Sequence, residues 1–167
     1  MQVVPDFLQW LQATSLAVFI HEHRWAFTTI EVVHVFAIGM MVATISIVDL
    51  RLMGLAFVQR PFTELARQLL RVTWTAFVIA ALTGPLLFIN QAADHFANTM
   101  FRIKMLLIVL AGINMLIFEL ITVRGASDWN LKPVPPLPAR LAGALSIGCW
   151  FLVIMFGRLT GFTMPQQ

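Results

Sequence analysis

The sequence predicts an all-α integral membrane protein, a four-helix bundle preceded by a short amphipathic interfacial helix, in one domain over residues 1–167. Two observations predict it. The chain is 59% hydrophobic and only 11% charged, too little polar surface to face water as a soluble globule. The apolar residues also gather into four runs near the ~20 residues a bilayer crossing needs.

The first element spans residues 5–20, short for a crossing. Asp6, Gln9 and Gln12 form a polar stripe at helical spacing, with Phe7, Leu8, Trp10 and Leu11 around them. That pattern predicts a helix lying on the membrane surface. No basic region or small-x-small site precedes it, so no cleaved leader is read. The four spans follow at residues 25–48, 72–90, 103–123 and 139–156. Asp49 and Arg51 close the first, and Pro61 breaks the polar stretch before the second. Gly84-Pro85 is expected to kink the second span, because proline removes a helix hydrogen bond. Residues 91–102 read as a polar link, and 124–138 as a proline-rich loop.

Lysine and arginine placement gives an orientation. With the N-terminus outside, the inner segments carry Arg51, Arg60, Arg67, Arg71, Arg124, Lys132 and Arg140, against Arg24, Arg102, Lys104 and Arg158 outside. The bias places both termini outside, the periplasmic side of a bacterial inner membrane. The net charge of +3 is scattered over connections, which fits this topology and not a nucleic-acid footprint. Small residues four apart (Ala76, Ala80, Gly84; Gly39, Ala43; Ala144, Gly148) allow close helix packing.

Ionisable groups inside a bilayer are costly, so each is a candidate for function. Glu31 and His34 share a helix face in the outer half of the first span, with His34 roughly 13 Å deep at 1.5 Å per residue. His21 and His23 lie just outside that span and His95 just outside the second, so all four histidines fall on the outer side. Met100 and Met105 lie there too. Imidazole and thioether on one side suit copper or haem. A b-type haem would take His34 and His95 as ligands, with Glu31 nearby and Arg24, Arg102 and Lys104 neutralising propionates. A copper site would instead recruit His21, His23, His34, His95 and Met100. Glu31 and His34 also read as a buried hydrogen-bonded pair that fixes packing. One Glu-x-x-His copy is half of what a di-iron centre requires. Cys149 is the only cysteine, which excludes an internal disulfide, and no Cys-x-x-Cys-His exists for covalent haem.

Asn114 is expected to bond between helices, Glu119 to meet Arg51 or Arg124, and Asp49 and Arg51 to form a helix-end ion network. No phosphate loop or nucleophile elbow is present, so the chain is not expected to be an enzyme on its own.

Three stretches carry a resemblance. They are Trp25 with Glu31-Val32-Val33-His34 and Asp49-Leu50-Arg51-Leu52-Met53-Gly54; Phe101-Arg102-Ile103-Lys104 with Ala111-Gly112-Ile113-Asn114; and Ala139 to Ser146 with Trp150 and Gly157-Arg158. Together the sequence resembles a family of small bacterial four-helix membrane proteins of unknown function, distantly similar to the copper-resistance D membrane proteins. The resemblance implies a four-helix inner-membrane protein. Where some relatives carry a histidine late in the third span, this chain has Glu119.

Three functions follow as expectations. The first is a membrane subunit whose outer-side site around His34 binds haem b or copper and relays electrons or copper to a periplasmic partner. The second is a cofactor-free structural or assembly subunit docked to other membrane proteins. The third, a transporter, would need to oligomerise, since four helices are few for a transport path.

Overall fold

The computed structural model describes residues 6–118, 120, 126 and 129–163. Seven helices follow in order: α1 (Asp6–Gln12), α2 (Ser15–Glu22), α3 (Arg24–Met53), α4 (Phe62–Asn90), α5 (Ala92–Ala97), α6 (Thr99–Ile117) and α7 (Leu137–Thr163). Helices α3, α4, α6 and α7 are long and apolar enough to cross a membrane. The chain is thus a multi-pass membrane protein of four spans behind short N-terminal helices.

The surface agrees with a lipid environment. Large apolar side chains face outward along every span, including Phe36 at 73% exposure, Leu82 at 67% and Phe151 at 66%. Small residues are buried between the helices, among them Ala37, Ala76, Ala111, Ala139 and Gly143. Helix packing in lipid rests on such close approach. At Gly143 the approach is tightest, since a Cβ there would sit 2.8 Å from the Asp49 carbonyl oxygen.

The spans pack in the order α4, α3, α7, α6, each against the next. Mid-bundle polar bonds tie them. Thr44 and Thr73 hydroxyls lie 2.8 Å apart between α3 and α4. Asn114 Nδ2 donates to the Ala142 carbonyl at 3.0 Å between α6 and α7, the interhelical bond expected of it. Phe88 and Phe101 bring α4 and α6 together by stacking at 5.6 Å.

Several boundaries differ from the sequence reading. The interfacial segment is two helices, because Thr14 caps α2: its Oγ1 accepts from the Ala17 N–H and donates to the Leu11 carbonyl. They pack against α3, α4 and α5 through Leu8, Ala17 and Ile20. The second long helix begins at Phe62, ten residues before the span expected from residue 72. Pro61 stands at its N-cap, where a missing N–H costs little, and Asn130 serves the freed groups. The Asn130 carbonyl accepts from the Phe62 N–H and its Oδ1 accepts from the Thr63 N–H at 2.9 Å. Pro85 lies inside α4, which continues through it. The link at 91–102 holds α5 and the start of α6. Helix α7 runs from Leu137 to Thr163, past both predicted ends.

One end of the bundle holds the hydrophobic core. Val48, Leu52, Phe62, Ala66, Ala126, Trp129 and Ala139 form one cluster, with Phe62 and Trp129 rings 4.9 Å apart. Arg51 is fully buried beside it. It forms no ion pair with Asp49, contrary to the expected helix-end network. Its Nε donates to the Arg60 carbonyl at 3.1 Å, and Nη2 to the carbonyls of Asn130 and Lys132 at 3.1 and 3.3 Å. Gly54 then ends α3 at φ 74°, a left-handed turn that glycine adopts without strain. Asp49 is buried where α3 meets α7 at Gly143, and its Oδ2 has no partner among the described residues. The expectations for Glu119 and Arg124 lie outside the described residues.

Candidate functional site

The opposite end, where α1, α2 and α5 lie, carries the candidate site. His34 on α3 is half-buried against α4. Its Nδ1 lies 2.7 Å from Thr83 Oγ1. The Thr83 hydroxyl has one proton and gives it to the Ile79 carbonyl at 2.7 Å. Thr83 Oγ1 is therefore the acceptor, and His34 Nδ1–H the donor. The neutral tautomer so fixed leaves the lone pair on Nε2.

Gly84 makes this arrangement possible. A Cβ there would stand 3.2 Å from His34 Cε1, so any side chain would press on the ring. The sequence reading took Gly84-Pro85 as a kink and missed Thr83 altogether. An x-Thr-Gly-Pro run gives no hint that its hydroxyl orients an imidazole one helix away.

His95 reaches the same state by another route. Its position on α5 puts it one turn beyond Gln91, whose carbonyl accepts from His95 Nδ1–H at 2.8 Å. Again Nε2 keeps the lone pair. The Phe88 and Phe101 rings meet the His95 imidazole edge-on, at centroid distances of 5.9 and 5.1 Å. Burial holds the His95 imidazole below its ordinary pKa, and the Lys104 charge pushes the same way. The Gln91 bond and Asp94 pull it back up.

Lys104 is half-buried on α6, its ammonium 4.9 Å from the ring centre of Phe101, which itself meets His95. Its Cδ lies where a Cβ on Gly157 would be 3.5 Å away, so α7 also borders the site.

The remaining candidates are spread apart. His23 Nδ1 bonds the Phe19 carbonyl at 3.0 Å, and its ring stacks on Phe19 at 4.4 Å on the exposed surface. His21 Nδ1 lies 3.2 Å from Asn90 Oδ1. Among the described residues no three of histidine, cysteine, aspartate and glutamate gather as a metal site. Arg24 and Arg102 are exposed, with Arg102 Nη2 donating to Thr99 Oγ1 at 3.3 Å, and Met100 is half-buried near the start of α6. Glu31 does not pair with His34. It is exposed and lines a lipid-facing groove with Val35, Phe36, Gly39 and Ala43. Cys149 is a free thiol on α7.

No protein-family model, no curated protein and no solved structure matches this chain.

Proposed function

We propose that this chain is a membrane subunit that presents His34 and His95 as ligands to a redox group, with a b-type haem the leading reading. The observation that carries it is the shared protonation state. Both imidazoles commit Nδ1–H to a protein acceptor and leave Nε2 as the lone-pair nitrogen. Ligating histidines are oriented in this way, the second nitrogen bonded to an oxygen that fixes the tautomer.

The residues fit such a group in other respects. Phe88 and Phe101 give flat apolar walls beside His95, and Lys104 supplies a cation for a propionate. Bound there, haem would supply a one-electron couple. The chain's own contribution is to hold two imidazoles in a defined tautomer and shield them from water. Electrons would pass to a partner on the α5 side, which the lysine and arginine bias assigns to the periplasm. The resemblance to small bacterial inner-membrane proteins points to the same compartment.

Copper is the second reading, with His21, His23, His34, His95 and Met100 as the candidate donors. The cofactor-free subunit is the third.

Absorption spectra of the detergent-purified protein, oxidised and then reduced, with elemental analysis, test the three. A Soret band that shifts on reduction and is lost in His34→Ala supports haem. Bound copper without that band moves the assignment to copper. A folded, colourless, metal-free protein refutes both and leaves the structural subunit.

A further inference from the structure

We propose that Asp49 is a proton-operated latch between α3 and α7, closed while its carboxyl group holds a proton and loosened when the proton leaves. This inference is independent of the histidine site.

Asp49 is the one buried carboxyl group among the described residues, at 3% exposure. It lies near the end of α3, where that helix meets a stripe of α7 made by Ala139, Gly143 and Ser146, all buried and at helical spacing. The contact is close. A Cβ on Gly143 would stand 2.8 Å from the Asp49 carbonyl oxygen, 3.1 Å from Leu52 Cβ and 3.3 Å from Met53 Cγ. The last turns of α3 are thus pressed onto α7.

No charge on the packed elements balances this carboxyl group. Arg51, on the same helix, gives Nε and Nη2 to the carbonyls of Arg60, Asn130 and Lys132. On α7 the nearest cation, Arg140, is exposed. On α4, the other neighbour of α3, Glu64, Arg67 and Arg71 are exposed, as are Arg60 and Lys132 on the connections. Helix α6 carries Arg102 and Lys104 at its far end. Glu119, Arg124 and Asp128 lie outside the described residues, and a cation paired with Asp49 would show as an ionised carboxylate in the test below.

Asp49 Oδ2 therefore has no donor among the described residues. An ionised carboxylate only accepts hydrogen bonds, and burying one without donors costs far more than burying the neutral acid. Main-chain N–H groups inside the two helices are committed to their own carbonyls. What surrounds the group is carbonyl oxygen and the Ser146 hydroxyl on the facing stripe, which suit an O–H donor. The ligand this site fits is a proton. Losing it leaves a negative charge at the tightest contact in the bundle, and that charge is hydrated only if α3 and α7 part.

Infrared spectra of the detergent-purified full chain at neutral pH, in light and heavy water, test the bound proton. Wild type should show the carbonyl stretch of a protonated carboxyl group, shifted in heavy water and missing from Asp49→Asn. A wild-type protein without that band overturns the proposal. The latch is read by maleimide labelling of Ser146→Cys in a Cys149→Ala background, with and without Asp49→Asn. Any thiol labels faster as pH rises, so the two proteins are compared at the same alkaline pH. Labelling should be at least several-fold faster where Asp49 is retained, because only there can the seam acquire a charge. Equal rates overturn the latch. So does an Asp49→Asn protein that fails to fold, since the closed state is the neutral one and asparagine is its isostere.

Discussion

Arg51 is the residue whose loss should unsettle the fold most. It is fully buried and tied to three backbone carbonyls, those of Arg60, Asn130 and Lys132. Those carbonyls belong to two different connections, the one between α3 and α4 and the one before α7. Arg51 therefore holds both against the end of α3. A hydrogen bond to a charged group contributes about 1.5–3 kcal/mol, so three give about 4.5–9 kcal/mol before any offset. Removing the guanidinium also removes its desolvation cost, of several kcal/mol. The net expectation for Arg51→Met is a loss of about 3–5 kcal/mol, because three carbonyls lose their donor at about 1–3 kcal/mol each. At about 2–4 °C per kcal/mol for a chain of this size, melting falls by about 6–20 °C. Heating the purified protein in detergent while following the helical signal reads this directly. Arg51→Lys keeps the charge but not the planar fork, and falls between the two. A melting point for Arg51→Met within about 3 °C of wild type, near 1 kcal/mol, would show that the three bonds do not hold the loops.

Other sites carry sharp expectations. Gly143→Leu pushes a side chain into the Asp49 carbonyl and separates α3 from α7, so the variant melts lower by about 1–3 kcal/mol of overpacking, whereas Gly148→Leu, with open space around it, melts like wild type. Thr83→Val removes the acceptor for His34 Nδ1–H while keeping shape; the expected outcome is a ring tautomer that ¹⁵N NMR of labelled histidine no longer finds fixed, with stability changed by about 1 kcal/mol. The pH dependence follows from His95. Its folded pKa lies below 6.5, so between the two values the unfolded chain binds a proton that the folded chain refuses. Its contribution is present in full above pH 6.5 and is lost as pH falls toward the folded value. His95→Gln should flatten that part of the stability profile, and an unchanged slope would refute the assignment.

The sequence made the bundle legible because lipid imposes a length and an apolar content on each span, and both are visible in one dimension. The four runs stand where four helices stand. Boundaries were less legible for physical reasons that can be named. Residues 62–71 look too polar for a span, yet Glu64, Arg67, Gln68 and Arg71 all face outward from a helix that buries Phe62, Leu65 and Ala66. Helix length and membrane thickness are separate quantities, and hydropathy reports only the second. Arg51 was read as a helix-end charge because its three acceptors are main-chain atoms from residues 9, 79 and 81 positions away, which no side-chain pattern reveals. Of the candidate site, His34 and His95 stand in the sequence reading because both fall on its expected outer side. Thr83, Gly84 and the Gln91 carbonyl were not, since they act through one atom each.

Charge at depth was legible, but direction was not. The Glu31–His34 spacing predicts one shared face, and three residues on a helix do lie within about 60° of each other. That tolerance is wide enough for one side chain to turn inward and the other outward. His34 turns to Thr83, and Glu31 turns to lipid.

On the proposed reading, the two ends of the bundle divide stability from chemistry. The aromatic cluster of Phe62, Phe118 and Trp129, the buried Arg51 and the tight Gly143 contact all lie where α3 ends and α7 begins. At the α5 end, beside the buried Leu8, Ala17 and Ile20, the polar contacts are single hydrogen bonds: His34 to Thr83, His95 to Gln91, and Asn98 to Thr163 at 2.8 Å. Interactions of this kind each contribute about 1 kcal/mol, so the α5 end can open locally while the other end stays folded. A site that must admit a large planar group, or a partner, has to lie at such an end. The free Nε2 atoms lie there, at the less securely packed end of an otherwise well-anchored bundle.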